Sequence, residues 1–390
     1  MQKKIIALAI AGLSSAAFAQ SNVTISGIAD YGYYSQSIQT GSIMDTKTSA
    51  AGNGSATSQL NFTITEKLGN GMSVKFFGET DFAAASGASG TNLGGIGLFN
   101  STNWLELSGG FGSLKAGNIN TAGLYAEIGA QPFGTAIGSG ISGTFGRLSR
   151  AGINGKMADG TAGLGGLAEG QYVASAAAAV AAGARSVRVA NSLSYTTPSF
   201  SGFTAGLQWA AKNSDSAVAA AGNTAGFVAV NAQYNNGPVN VYYVNEQYSA
   251  GSVAPQGGIS STTAGMQLLA NEKVTHNMLT GNYTFGPATV YAGWTSSKSS
   301  GTATTMADAR SWNLGLKYQV MGSLSLAANI LKVDDKLAGN QDRNLNAIGF
   351  DYDLSKRSAV YGRYETGDND RADSANGNFS RYQVGLRHSF

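Results

Sequence analysis

Cysteine is absent from the 390-residue chain, and charged residues make up only 12% of it. Without cysteine the protein can form neither disulfide bonds nor cysteine-ligated metal sites. A soluble domain usually carries about 25% charged residues, so the low charge is unusual for a wholly aqueous surface. The formal net charge is only +3, which gives no electrostatic reason to expect nucleic acid as a partner.

Long hydrophobic runs are also missing. Beyond the N-terminus, no stretch approaches the roughly 20 uninterrupted apolar residues that a transmembrane helix needs, which excludes a helical membrane protein. At the N-terminus, two lysines and a short apolar run precede the small-residue cleavage site Ala17-Phe18-Ala19. We therefore expect residues 1–19 to be a cleaved signal peptide and residues 20–390 to be the exported barrel.

What the chain does contain is strand periodicity, clearest over residues 379–390. One face of this stretch is mostly apolar or aromatic and comprises Tyr382, Val384, Leu386, His388 and Phe390. The intervening residues are mostly polar, as in a strand with one face turned away from water. Chain termini usually fray into water, whereas the last strand of an outer-membrane barrel closes against the first and can end in an interfacial aromatic. The pattern favours such a barrel over an edge strand of a soluble sandwich.

Similar alternating segments recur along the whole chain, and short turns and long polar loops join them in strict alternation. We count 16 strands, long enough to cross a bilayer when tilted. The long loops are expected near 37–56, 84–100, 119–185, 213–222, 250–273, 299–309, 334–343 and 368–378. Lipid offers no partner to the backbone groups of an open sheet edge, so the strands must close. The sequence predicts an all-β, 16-stranded antiparallel transmembrane β-barrel with a water-filled interior.

Several segments resemble the trimeric general porins of Gram-negative bacteria, in particular the betaproteobacterial branch. The resemblance covers nearly the whole exported chain. It is carried by NVTISGIADYG at 22–32, EKLGNGM at 66–72, LSGGFGSLKAG at 107–117, RVANSLSYTTPSFSGF at 188–203 and VGLRHSF at 384–390. It implies a homotrimer and a long third loop that folds into the lumen as a constriction. It also implies that Phe390 is part of the signal that the assembly machinery recognises.

The expected function is therefore that of an outer-membrane porin, a channel for passive diffusion of small hydrophilic solutes and ions. We expect outer-membrane lipid around it, no cofactor and no nucleic acid partner. A surface adhesin or another structural outer-membrane barrel is an alternative, although the chain has no fixed internal repeat. A barrel hydrolase would need a nucleophile with a positioned histidine base. The two histidines, His276 and His388, belong to no obvious constellation of this kind, and no carboxylate cluster has calcium-loop spacing.

Alternate residues of a strand point to opposite faces of the barrel, and we call this alternation strand parity. Strand parity and the resemblance together indicate which residues face the narrow part of the channel. Segment 119–185 is the longest connection, and loops of this length are usually functional or disordered. The resemblance makes it the constriction loop with an insertion, and we expect its first half, near 120–146, to narrow the pore. The candidate pore-lining residues are Lys75, Glu79, Asp81, Lys115, Glu127, Arg147, Arg150 and Arg188.

The chain departs from the resemblance in its wall charges. The family typically carries arginine at four inward positions that are occupied here by Gln59, Thr63, Ser101 and Asn118. Ions in a lumen pass within a Debye length, about 8–10 Å, of the wall charges. Losing four cations should therefore weaken the anion preference common in the family and leave a nearly unselective or mildly cation-preferring channel. The loop arginines would oppose this change if they fold against the wall.

Overall fold

The computed structural model describes residues 22–40, 43–52, 54–82, 84, 98–135, 137, 188–212, 225–252, 270–301, 308–336, 342–369 and 378–390. The predicted signal peptide, Arg147 and Arg150 lie outside the described residues. Among the residues that are described, no helix is long and apolar enough to span a membrane.

The described chain consists almost entirely of antiparallel strands. In chain order these are β1 (Asn22–Thr40), β2 (Ile43–Gly52), β3 (Gln59–Gly69), β4 (Met72–Asp81), β5 (Asn103–Gly109), β6 (Gly112–Asn120), β7 (Arg188–Thr196), β8 (Phe203–Ala210), β9 (Gly226–Asn236), β10 (Val239–Ser249), β11 (Lys273–Phe285), β12 (Ala288–Ser300), β13 (Asp308–Met321), β14 (Leu324–Asp335), β15 (Arg343–Asp353), β16 (Ser358–Asn369) and β17 (Phe379–Ser389). A short helix, α1 (Ala122–Gly129), follows β6.

The sheet closes on itself through β1 and β17. These two strands pair from Ile28 opposite Ser389 to Ile38 opposite Phe379. On its other side, β1 pairs with β3 over its first part and with β2 over its second part. Strands β2 and β3 thus follow one another along β1 and occupy a single position in the wall. The barrel has 16 such positions, which confirms the predicted strand number and antiparallel closure.

The prediction of a polar loop over 37–56 is wrong for most of that range, because β1 continues to Thr40 and β2 pairs with it. The two strands form a backbone ladder with hydroxyl contacts between them. Ser37 Oγ lies 2.9 Å from Thr46 Oγ1, and the Thr48 hydroxyl donates to Ser35 Oγ at 3.0 Å. A hairpin held in this way has no apolar row, so a search for alternating hydrophobic residues does not detect it.

The two faces of the barrel differ as parity predicts. On β17, Tyr382, Val384 and Leu386 are exposed on the outer face, whereas the intervening Arg381 and Gln383 are buried on the inner face. The same arrangement holds on the other long strands, whose outer rows carry large apolar side chains. An apolar exterior and a polar interior are what a barrel in lipid requires.

Candidate pore-lining site

Helix α1 begins directly after β6 and turns into the barrel interior. Thr121 caps it, because the Leu124 N–H donates to Thr121 Oγ1 at 3.1 Å, which satisfies one of the free donors of the first turn. The helix then contacts strands that are far from β6 along the sheet. The Gly123 N–H donates to Glu246 Oε1 on β10 at 2.8 Å, and the Thr280 hydroxyl on β11 donates to the Ala126 carbonyl at 2.8 Å.

The chain beyond α1 continues along the inner wall. Asn282 Nδ2 on β11 donates to the Gly129 carbonyl at 2.9 Å. Asn313 on β13 donates to the Ala130 carbonyl. The Phe133 ring lies 5.3 Å from the guanidinium carbon of Arg363 on β16. Residues 121–133 therefore contact the interior side of β10, β11, β13 and β16.

Apolar side chains on the inner face mark where this segment packs. Ala126 of α1 forms a buried cluster with Val244 and Met278. Ala130 and Phe133 pack into a second cluster whose wall members are Leu331, Leu345, Ala347 and Phe379. Burial of apolar surface stabilises the segment on the wall. These inward apolar residues interrupt the polar inner row. The interruption is visible in the sequence and marks where α1 and the residues after it pack, although parity alone did not predict it.

Arg188 of β7 joins two of the predicted acidic residues. Its guanidinium Nη2 lies 3.3 Å from Glu79 Oε1 and 3.7 Å from Asp81 Oδ2, and its Nε donates to Thr102 Oγ1 at 2.8 Å. The Ser101 hydroxyl also donates to Glu79. All three charged residues are nearly buried, so one arginine compensates two carboxylates in a poorly solvated part of the wall.

Two of the positions where the resemblance leads one to expect arginine lie within this cluster. Ser101 contacts Glu79 directly, and Asn118 Nδ2 donates to the Ser101 carbonyl at 2.7 Å. Neutral side chains therefore stand beside Glu79, and Arg188 supplies the cation of this part of the wall.

Lys75 and Lys115 form a second cluster around Glu106, a residue that the sequence analysis did not single out. Lys75 Nζ lies 3.5 Å from Glu106 Oε1, and Lys115 Nζ lies 3.3 Å from Glu106 Oε2. The three residues stand directly opposite one another on β4, β5 and β6. Leu105 and Leu107 belong to the apolar outer row of β5, and Glu106 lies between them on the inner face. Strand parity was therefore enough to predict an inward Glu106.

A third charged region covers β15, β16 and β17. Arg363 Nη2 bonds both carboxylate oxygens of Asp351 at 2.8 and 2.9 Å. Arg381 is ion-paired with Glu365. Arg387 Nη1 lies 4.0 Å from Asp351 Oδ1. In the three regions, each of the basic side chains named above lies within 4.0 Å of a carboxylate.

The remaining predicted residues have different surroundings. Glu127 is only 3% exposed, so its side chain is buried rather than facing open space, and the half-exposed residue of α1 is Tyr125. Phe390 follows β17 and exchanges two backbone hydrogen bonds of 3.0 Å with Gly27 of β1. The terminal residue is thus part of the closing seam, and its ring is partly exposed on the outer face.

Comparison with known proteins identifies the family. The model of the Gram-negative porin family matches residues 6–372. Outer membrane porin protein 32 of Delftia acidovorans is 26% identical over 413 aligned residues, which cover 100% of both chains. Among solved structures, the anion-selective porin from Comamonas acidovorans has a TM-score of 0.70 at 20% identity and covers 95% of this chain and 100% of its own.

A more distant structure has the same fold. A loop L8 deletion mutant of OmpT, an outer membrane protein of Vibrio cholerae, has a TM-score of 0.62 at 13% identity and covers 95% of this chain and 99% of its own. The family match, the full-length relative and the closed 16-position barrel agree with one another. The chain belongs to the Gram-negative porin family and is an outer-membrane channel for passive diffusion.

Proposed function

We propose that the narrowest part of the channel lies between the charged inner wall of β4–β7 and the segment that contains α1. The observation that carries this proposal is the position of α1, which is held against the inner wall of β10 and β11 by hydrogen bonds from Thr280 and Asn282 and by the Glu246 carboxylate. Tyr125 of α1 extends towards the charged cluster, because its hydroxyl accepts from Asn120 Nδ2 at 3.2 Å and Asn120 Oδ1 accepts from Thr102 at 2.7 Å. The helix and the cluster thus border the same part of the interior, and we place the passage for water and solutes there. Sieving in such a passage depends on its width and on the charge of its walls.

Weak ion selectivity is the second part of the proposal. Glu79 and Asp81 share one arginine, Glu106 lies between two lysines, and the basic residues of β16 and β17 are also near carboxylates. Opposite charges this close largely cancel at the distance of a passing ion, so the wall should favour neither sign strongly.

Gln59 offers a direct test of the selectivity proposal, because it stands opposite Asp81 on the neighbouring strand. We expect Gln59→Arg to shift the zero-current potential across a salt gradient towards anion preference, whereas the uncharged variant Gln59→Met should not. The measurement is made on purified protein in a planar bilayer. Strong anion selectivity in the wild type, or the same potential in wild type and Gln59→Arg, would refute this assignment.

We further propose that the working form is a homotrimer. The outer face near the closing seam is strongly apolar, with Val23 and Ile25 among its most exposed residues. Phe99 also packs on this side of the barrel, with its ring edge-on to Phe62 and Phe76 at centroid distances of 5.9 and 5.5 Å. Migration at three times the monomer mass on an unheated gel, collapsing to one monomer band after boiling, is the expected result.

A further inference from the structure

We propose that the inner wall of β4, β5 and β6 carries a binding subsite for aromatic monocarboxylates, the chemical class of benzoate. The subsite consists of two neighbouring rows of side chains across these strands. One row is Lys75, Glu106 and Lys115, and the other is Phe77, Trp104 and Gly117. The inference rests on the proposed function in one respect, namely that this wall faces the passage.

The two rows are adjacent and point the same way. Lys75 and Phe77 are two residues apart on β4, as are Trp104 and Glu106 on β5. Residues separated by two lie on the same face of a strand, and the outer face of β5 is occupied by Leu105. The aromatic pair therefore stands beside the lysines on the inner face of the barrel.

The charged row has an excess of positive charge. One carboxylate, that of Glu106, serves both lysines, at N···O distances of 3.5 and 3.3 Å. The side chains of Lys75 and Lys115 are 36% and 29% exposed, so their ammonium groups remain accessible from the lumen. Each ammonium has three N–H donors, and Glu106 leaves several of them available for a second carboxylate supplied by a solute.

The aromatic row offers ring surface next to that positive charge. The Phe77 and Trp104 rings are stacked, with centroids 5.4 Å apart and an interplanar angle of 23°. Lys115 Nζ lies 4.5 Å from the centroid of the Trp104 ring. On the far side of Trp104 the next strand carries Gly117, where a Cβ would lie only 2.3 Å from the Asn103 carbonyl oxygen, so the glycine lets β6 approach β5 closely.

Together these features fit one kind of solute better than others. An inorganic anion would use the lysines but not the rings, and a neutral sugar would use the rings but not the excess charge. An aromatic monocarboxylate places its carboxylate at the ammonium groups and its ring on Phe77 and Trp104. The subsite lies on a wall that stays in contact with water, so the solute binds weakly and can leave on either side, as passage through a channel requires.

The test compares benzoate with acetate in single-channel recordings of the full-length protein in potassium chloride, with binding read from concentration-dependent block of the current. We expect benzoate to bind about tenfold more tightly than acetate, since ring contact adds to the shared carboxylate contact. Trp104→Leu should bring benzoate to the level of acetate, and Trp104→Phe should restore most of the difference. Trp209→Leu, which changes an exposed tryptophan on the outer face of β8, is the matched control and should behave as wild type.

Changes in the charged row separate this inference from the proposed function. Glu106→Gln should strengthen the binding of both solutes, and Lys75→Gln combined with Lys115→Gln should weaken both. Equal binding of benzoate and acetate to the wild type, or preferential benzoate binding that persists in Trp104→Leu, would overturn the subsite. If the double lysine variant also leaves the zero-current potential in plain potassium chloride unchanged, the placement of this wall on the passage is wrong as well.

Discussion

Removal of the Glu246 carboxylate is expected to loosen α1 from the inner wall. The side chain is fully buried. Its Oε1 accepts the Gly123 N–H at 2.8 Å, and its Oε2 accepts the Tyr248 hydroxyl at 2.9 Å. A carboxylate at the first turn of a helix also interacts favourably with the partial positive charge of the helix N-terminus. Glu246→Ala removes these interactions and leaves the rest of the helix contacts in place.

The size of the effect follows from the hydrogen bond to α1 that is lost and from the contacts that remain. A hydrogen bond to a charged group contributes about 1.5–3 kcal/mol, and a neutral one about 0.5–1.5 kcal/mol. Three neutral side-chain donors, from Thr280, Asn282 and Asn313, still hold the carbonyls of α1 and the following residue. The helix should therefore stay bound most of the time in Glu246→Ala. Its detached population should rise by a factor of about 10–150, because each 1.4 kcal/mol is tenfold.

Single-channel recording detects such detachment as excursions to a second current level. We expect Glu246→Ala to multiply the time spent in that level, and Glu246→Gln, which keeps an acceptor for Gly123, to show a smaller increase. Asn245→Ala is the matched control, because Asn245 is the next residue on β10 and bonds Asn277 at 2.7 Å on the outer face. Excursions in Glu246→Ala that are no more frequent than in Asn245→Ala would refute the role given to Glu246.

Two further predictions concern assembly and the outer face. Deletion of Phe390 or Phe390→Ser should reduce the amount of assembled protein in the outer membrane without reducing synthesis, because the residue pairs with Gly27 at the closing seam; normal outer-membrane levels on immunoblots would contradict this. Leu386→Arg should destabilise the folded barrel by about 2–4 kcal/mol if the site is near the bilayer midplane, measured by refolding into lipid vesicles, whereas the inward Gln59→Arg should refold nearly as wild type does. Equal losses in the two variants would show that the faces are misassigned.

The alternation of apolar and polar residues was enough to predict the barrel, its strand number and its two faces. Parity could do this because lipid outside and water inside impose opposite requirements on neighbouring residues. It also placed Lys75, Glu79, Asp81, Lys115 and Arg188 on the inner wall, where the structure brings them into two clusters.

Parity does not indicate how deeply an inward residue is buried. Gln383 is on the inner face as its position predicts, yet it is fully buried and donates to the Tyr361 hydroxyl at 3.0 Å. Contacts of this kind join residues that are distant along the chain, and no local pattern in the sequence encodes them.

Helix α1 was not predicted either, for a related reason. Its eight residues are too few to form a stable helix by propensity alone, and contacts with the wall hold it in place. The bonds from Glu246 and Thr280 link it to strands more than a hundred residues away in the chain. The inward apolar residues Val244 and Met278 are the clearest indication in the sequence that a segment packs here. Apolar side chains facing a water-filled lumen are unfavourable unless another part of the chain covers them, as Ala126 of α1 does.

The most direct test of the proposed passage uses Tyr125, the half-exposed residue of α1. The chain contains no cysteine, so Tyr125→Cys and the outer-face control Leu386→Cys each introduce a single reactive thiol. A negatively charged, membrane-impermeant thiol reagent is added during recording from a planar bilayer. We predict stepwise loss of current and a shift towards cation preference for Tyr125→Cys, and no change for Leu386→Cys. Labelling of Tyr125→Cys, verified by mass, without any change in current would contradict the placement of α1 beside the conducting passage.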